Sequence, residues 1–173
     1  MYSNKIEFYF VRHGQTNWGR EDILRGPQDL DLNSIGITQA KEAGMKLKKR
    51  IDRNVKMITS PLQRALQTTY YISEITNIQT YDIKDDLRER YYGDHRCDPI
   101  LDAETNEEFH RRVNVVFEEI FLQYACPFVV VSHQKVFEWL SESLTKRKEK
   151  LVQGGIGHFT FCTDPICWKL EII

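Results

Sequence analysis

Apolar positions along the chain follow two spacings in turn. Short runs at "KIEFYFV" (5–11), "VKMIT" (55–59) and "PFVVVS" (127–132) have the length and the β-branched or aromatic content of buried strands. Between them, apolar residues recur at helical spacing in "LNSIGITQAKEAGMKLKKRI" (32–51), "SPLQRALQTTYYISEI" (60–75), "NEEFHRRVNVVFEEIFLQY" (106–124) and "KVFEWLSESL" (135–144). Asn33 or Ser34 fits the N-cap of the first helix. Ser60 as N-cap, with Pro61 at the first helical position, marks the start of the second. "HFTFCT" and "CWKLEII" read as terminal strands, joined as a hairpin around Asp164-Pro165. Strands alternating with helices predict an α/β sheet covered on both faces. No repeat, low-complexity tract or Pro/Gly-rich linker interrupts this order, so a single domain over 1–173 is expected.

The polar residues gain meaning from this pattern. Arg12 and His13 directly follow the first strand, Arg64 lies in the first turn of the helix after the second, and His133 directly follows "FVVVS". In open α/β sheets, ligands bind outside the carboxyl ends of the strands. The strand ends therefore carry two arginines and two histidines to one edge. Arginine forks pair with phosphate oxygens and helix N-termini favour anions. An imidazole can attack phosphorus, and phosphoryl transfer is mostly positioning plus electrostatics. Taken singly, a strand-end histidine is a capped or half-buried residue and an arginine in a first turn is a surface residue. Their joint placement points to a phosphate site.

Composition narrows the field further. Hydrophobic residues make up 41% and charged residues 28%, the mix of an ordinary globular protein. The net charge of −1 supplies no basic field for nucleic acid or anionic lipid. The N-terminal segment lacks the pattern of a signal peptide and no apolar run has the length of a membrane span. A cytoplasmic location and a small phosphorylated substrate are the resulting expectations. Cys97, Cys126, Cys162 and Cys167 form no CxxC pair and sit at no zinc-ligand spacing, so reduced thiols and no metal are expected.

The segments "VRHGQT" (11–16), "TSPLQRALQT" (59–68) and "VVVSHQ" (129–134) resemble the signature segments of the histidine phosphatase superfamily, the phosphoglycerate mutase-like enzymes. "LRERYYG" (87–93) resembles the acidic-residue segment of cofactor-dependent phosphoglycerate mutases. Arg-His-Gly alone would carry little; the set in order carries the resemblance. It implies a three-layer α/β/α sandwich with a mostly parallel central sheet. It implies His13 as a nucleophile that becomes phosphohistidine, with Arg12, Arg64 and His133 binding the phosphate. Gly14 would let the backbone pass close beneath the histidine, and Thr16 would offer a hydroxyl to phosphate. Glu89 would be the general acid and then the base for water, a role that calls for partial desolvation. Without the resemblance, Glu89 reads as a solvated carboxylate inside the charge-rich "DDLRER". Arg90 and Tyr92 in the same segment are further substrate contacts.

The chain also departs from the family pattern. Trp18-Gly19 stands where Trp-Asn is common, which leaves Asn17 or Arg20 to replace an amide contact. "ILRGPQDLDL" (23–32) corresponds to the loop over the site, with Arg25 and Gly26 at substrate-touching positions. The second histidine is followed by Gln134 where glycine is usual, which would narrow the pocket or add an amide contact. Mutases carry a longer insertion after the acidic segment; here "YYGDHRCDPILDAETNEEFHRRV" (91–113) runs almost directly into a helix, with His95 and Arg96 as the connector's cations. The short connector favours a phosphatase without cofactor. The alternatives are a mutase using 2,3-bisphosphoglycerate and a non-catalytic domain that binds phosphorylated ligands. "TKRKEK" (145–150) reads as a solvated helix end and "GGIGH" (154–158) as a turn into the terminal strand, with His158 either structural or at the pocket border.

Overall fold

The computed structural model describes residues 6–17, 29–93 and 103–173. Trp18, Gly19, Arg20, Arg25, Gly26, His95, Arg96 and Cys97 lie outside the described residues. Six strands form one sheet: β1 (Glu7–Arg12), β2 (Lys56–Thr59), β3 (Tyr81–Ile83), β4 (Phe128–Ser132), β5 (Ile156–Thr163) and β6 (Ile166–Ile172), in the order β3-β2-β4-β1-β5-β6. β3, β2, β4 and β1 run parallel, while β5 is antiparallel to β1 and β6 to β5. Four helices are described: α1 (Ser34–Lys48), α2 (Gln63–Thr76), α3 (Asn106–Gln123) and α4 (Gln134–Thr145).

The strand residues alternate between two cores. Phe8, Phe10, Phe128 and Val130 face a cluster with Val113, Phe117 and Ile120 of α3 and with Phe137 and Leu140 of α4. Tyr9, Val11, Val129 and Val131 face Ala43, Leu47, Ala65 and Ile72 of α1 and α2. The sheet therefore sits between two helical layers, an α/β/α sandwich. The Phe8 ring lies at the middle of the first core, stacked on Phe159 at 4.7 Å and on Phe128 at 5.2 Å. Burying each such side chain contributes about 1.5–3 kcal/mol.

Two helix starts differ in their chemistry. α3 begins with a capping box, in which the Thr105 hydroxyl accepts from Glu108 N–H and the Glu108 carboxylate accepts from Thr105 N–H. α2 corrects the expectation from sequence: its N-cap is Leu62, with no side-chain cap, and Ser60 lies outside it. The Gln63 N–H is met by the Asp29 carboxylate instead. A serine that follows a strand directly is already engaged at the strand end, and the helix starts only after the Pro61-Leu62 turn. β3 was not legible in the sequence: it has only the three residues Tyr81–Ile83, none buried, so it shows no apolar run. The hairpin around Asp164-Pro165 and the N-cap at Asn33 follow the sequence pattern.

β2, β4 and β1 are neighbours, so their carboxyl ends lie side by side. Thr59 is level with Val131, and Arg12 with Ser132. The next residues continue the ladder: Ser60 N–H bonds Val131 O and His13 N–H bonds Ser132 O, both at 3.0 Å. Ser60, His133 and His13 thus leave adjacent strands at one edge.

Candidate active site

His13 is buried, and its Nδ1 lies 2.8 Å from the Gly14 carbonyl. A carbonyl only accepts, so Nδ1 carries the hydrogen and Nε2 keeps its lone pair. Desolvation, helped by the charges of Arg64 and Arg12, lowers the ring's pKa to about 3, against the Gly14 bond. The imidazole is neutral at ordinary pH, the form a nucleophile needs.

The His133 ring centre is 5.1 Å from that of His13, and the ring is fully buried. Its Nε2 lies 2.7 Å from Ser60 Oγ. Ser60 Oγ also accepts from Leu62 N–H at 3.4 Å, and the imidazole, at 2.7 Å, is an acceptor within reach of its own hydrogen. His133 Nε2 is then the acceptor and Nδ1 carries the hydrogen. Nδ1 has no partner among the described residues. A buried donor with no protein partner is rare, and it leaves this N–H available to a ligand oxygen. Burial, together with Arg64, His13 and Arg12, holds this ring well below the ordinary histidine range, so it too is neutral.

The segment before Glu89 is pinned from both sides. Leu87 is fully buried, and its carbonyl accepts from Ser132 Oγ at 2.7 Å. Arg112 of α3 donates to the carbonyls of Asp86 (2.6 Å) and Arg88 (3.1 Å). Its other nitrogens grip both carboxylate oxygens of Glu104 at 2.7 Å. Glu89 Oε1 accepts from Arg90 N–H at 3.0 Å and from Lys135 N–H, in the first turn of α4, at 3.1 Å. These bonds and the two arginine charges favour the carboxylate, but desolvation outweighs them and the pKa is raised. Glu89 is thus half-buried and tied to two backbone N–H groups, unlike a solvated loop carboxylate, and Oε2, at a longer 3.4 Å from Lys135 N–H, is its less engaged oxygen.

Arg12 Nη1 donates to the Leu151 carbonyl at 2.7 Å. The main chain around it is gripped by the glycine turn: Gly154 N–H reaches the Arg12 and His13 carbonyls, and Arg12 N–H bonds Gly155 O. Gly154 has φ +71°, a conformation suited to glycine. "GGIGH" is thus a buttress for the Arg12-His13 backbone as well as a turn. Gly14 answers a different demand from the expected one. A Cβ there would meet the carbonyl oxygen of Gly36, at the start of α1, at 2.4 Å. Its small size serves the packing of α1 against the strand end.

Thr16 is buried and forms an isolated bridge with Leu32, while Asn17 is exposed. The Arg90 guanidinium donates to the Glu104 carbonyl at 3.2 Å and lies over the Tyr92 ring at 5.1 Å. The Gln134 side chain donates to Glu138, one turn along α4, at 3.1 Å, and accepts from Leu151 N–H at 3.3 Å, which ties the start of α4 to the 151–155 turn. His158 stacks on Tyr9 at 4.5 Å and bonds Glu7 at 2.8 Å, partway along the sheet, which settles it as structural. Sequence reasoning missed Ser60 and Arg112 as parts of the site. For Ser60 the signal was present, since it follows β2 as His13 follows β1 and His133 follows β4.

The arrangement joins a neutral imidazole lone pair, two guanidinium charges, an imidazole N–H and a carboxyl of raised pKa at one sheet edge. The sequence pattern of the histidine phosphatase superfamily (branch 1) matches residues 8–98. The chain belongs to this superfamily. It is 37% identical over 90 residues to a protein of Bacillus subtilis (strain 168) named "Uncharacterized phosphatase PhoE", covering 52% of this chain and 45% of that one. It is 39% identical over 85 residues to a "2,3-bisphosphoglycerate-dependent phosphoglycerate mutase" of Staphylococcus carnosus (strain TM300), covering 47% and 37%. Each match takes in less than half the length of the relative. The fold resembles the crystal structure of phosphoglycerate mutase from Bacillus anthracis str. Sterne, with TM-score 0.81 over 99% of this chain and 93% of that one, at 18% identity. Superfamily relatives are thus phosphatases and mutases alike, and among the described residues no helix is long and apolar enough to cross a membrane.

Proposed function

We propose that the chain is a phosphomonoesterase working through a phosphohistidine at His13. The observation that carries this reading is His13 itself: buried, neutral, with Nδ1 held by Gly14 and Nε2 left as the nucleophile beside two arginine charges. The Nε2 lone pair attacks phosphorus, the bond to the ester oxygen breaks, and the Glu89 proton passes to that oxygen. Water then attacks the phosphoryl group, Glu89 takes its proton, and the P–N bond breaks to give inorganic phosphate. Arg12, Arg64 and the His133 Nδ1–H stabilise the equatorial oxygens throughout.

Hydrolysis is favoured over the mutase reaction by the connector between Gly93 and α3. It is short, and His95 and Arg96 are its cations. A mutase has to shield its phosphoenzyme from water while the intermediate re-docks. The test is a panel of phosphomonoesters, with and without 2,3-bisphosphoglycerate and with and without a chelator. Phosphate release that needs neither additive and survives chelation is the expected result, since two arginine charges and the His133 N–H already stabilise the phosphoryl oxygens. Isomerisation of phosphoglycerate faster than phosphate release would make the chain a mutase. A rate lost to chelator and restored by Mg²⁺ or Zn²⁺ would overturn the metal-free mechanism.

Ser60 gives a further expected result. Ser60→Ala removes the hydroxyl that fixes the His133 tautomer, and a lost buried hydrogen bond of this kind corresponds to about a tenfold or larger fall in kcat/KM. Ser60→Thr keeps the hydroxyl and should restore most of it. Unchanged kinetics in Ser60→Ala would remove Ser60 from the mechanism.

A further inference from the structure

The sheet ends at β6, whose outer edge has no strand partner among the described residues. Its side chains divide cleanly by face. Trp168 and Leu170 pack against the α3/α4 core, and Ile166 and Ile172 share their face by alternation. Ile166 is 80% exposed and Ile172 49% exposed, so this apolar row runs out into solvent at both ends. Lys169 and Glu171 are exposed on the opposite face.

The backbone direction can be read as well. Arg12 N–H bonds Gly155 O and Phe161 N–H bonds Ile6 O, so the odd residues of β5 turn their polar groups to β1 and the even ones to β6. Ile173 N–H bonds Ile156 O, which fixes the same alternation across the β5–β6 register. On β6, residues 167, 169 and 171 are spent on β5. Trp168, Leu170 and Ile172 turn their N–H and C=O groups outward.

We propose that this edge pairs antiparallel with the same edge of a second copy, with Leu170 opposite Leu170 on a two-fold axis. Charge chooses the register. An axis through Lys169 sets Lys169 against itself, and one through Glu171 sets Glu171 against itself. An axis through Leu170 sets Lys169 opposite the partner's Glu171, and the two-fold repeats the pair. These fall at non-hydrogen-bonded positions, where facing side chains come closest. In that register Trp168, Leu170 and Ile172 meet Ile172, Leu170 and Trp168, so the apolar row continues across the junction and the outward groups find partners. A lysine on an edge strand ordinarily discourages pairing. Here Glu171 is placed to neutralise it when the two copies meet. The Glu171 carboxylate, 3.7 Å from His158 Nδ1, is 72% exposed and within reach of a partner. The contact is isologous and closes as a dimer.

Sedimentation equilibrium of the full chain tests this. Wild type should approach twice its 20.5 kDa mass as concentration rises. Lys169→Glu turns both attractive pairs into repulsions, and so does Glu171→Lys; each should weaken dimerisation about tenfold or more. A mixture of the Lys169→Glu chain with the Glu171→Lys chain restores opposite charges at both pairs, and should dimerise when neither does alone. Far-UV circular dichroism of each variant checks that the fold is kept, and the mixture is its own control, since two unfolded chains would not restore the dimer. A wild type that stays monomeric, leaving the edge to a foreign strand, overturns the proposal. So does a dimer indifferent to the single charge reversals, or a mixture that remains monomeric.

Discussion

Replacing His13 with alanine should abolish both turnover and the capture of labelled phosphate on the protein. The two losses go together because the proposed mechanism gives the covalent bond to one atom, His13 Nε2, while Nδ1 is committed to Gly14 O. No described neighbour can take over. The His133 Nε2 lone pair is already occupied by Ser60, 2.7 Å away, and its Nδ1 carries the hydrogen in the tautomer assigned above. The expected fall in kcat is about 10⁴-fold or more, the scale seen when a nucleophile is removed and the rest of a site remains. Rapid quench with ³²P-labelled substrate reads the phosphoenzyme, and steady-state phosphate release reads turnover. His13→Ala with wild-type activity would sink the assignment. A labelled protein in that variant would move the nucleophile elsewhere.

Glu89→Gln should slow alkyl phosphates by about 10²- to 10⁴-fold, the usual contribution of a general acid. An alkyl phosphate leaves as a strongly basic alkoxide and needs the proton. An aryl phosphate such as p-nitrophenyl phosphate leaves as a weakly basic phenolate and needs it less, so its loss should be clearly smaller. The comparison has to use burst rates, because in the proposed mechanism Glu89 also activates water in the second step, and its loss would depress both steady-state rates. The pH profile gives an independent reading. The acid form of Glu89 is the active one in phosphorylation, and its pKa is raised, chiefly by desolvation. The burst rate should therefore persist above the ordinary carboxyl range and fall as pH rises through that raised value. The His13 pKa, lowered to about 3, places the acid limb far below neutrality. Glu89→Gln should lose the alkaline limb that Glu89 causes. Equal losses on both substrates would make Glu89 a positioning residue, and no loss on either would return it to the role of a solvated carboxylate.

How much of this was legible before any coordinates follows from what each residue leans on. Arg12, His13 and His133 were legible because each directly follows an apolar run, and strand position alone sends them to the same edge. Arg64 followed from its helix. Glu89 was legible only through family resemblance. Its half-buried setting comes from Leu87, Ser132, Arg112 and the first turn of α4, which lie two to forty-six residues away in sequence and leave no local pattern. For Gln134, Glu138 is a neighbour at helical spacing, but Leu151 becomes visible as a partner only once α4 and the 151–155 turn are side by side. At Gly14 the backbone that approaches is that of Gly36, which only the placement of α1 reveals. β3 is too short and too exposed to leave any periodicity.

The sheet order has a consequence for how the chain is made. β1 occupies an interior position, but its two neighbours are β4 and β5, and Phe8 faces Phe128 on one side and Phe159 on the other. Translation proceeds from the N-terminal end, so the apolar stretch Phe8–Val11 leaves the ribosome long before either partner exists. At ~5–20 residues per second, the 120 positions that separate Phe8 from Phe128 take roughly 6–24 s to add. During that interval β2, α1 and α2 can assemble, but the ring that later fills the middle of the α3/α4 core has nothing to cover it. The nascent chain therefore carries a sticky segment until Phe128 has been added, and holdase chaperones that bind exposed aromatic runs should find it there. The candidate site, which needs the ends of β1, β2 and β4 together, can form only after the ribosome has passed His133.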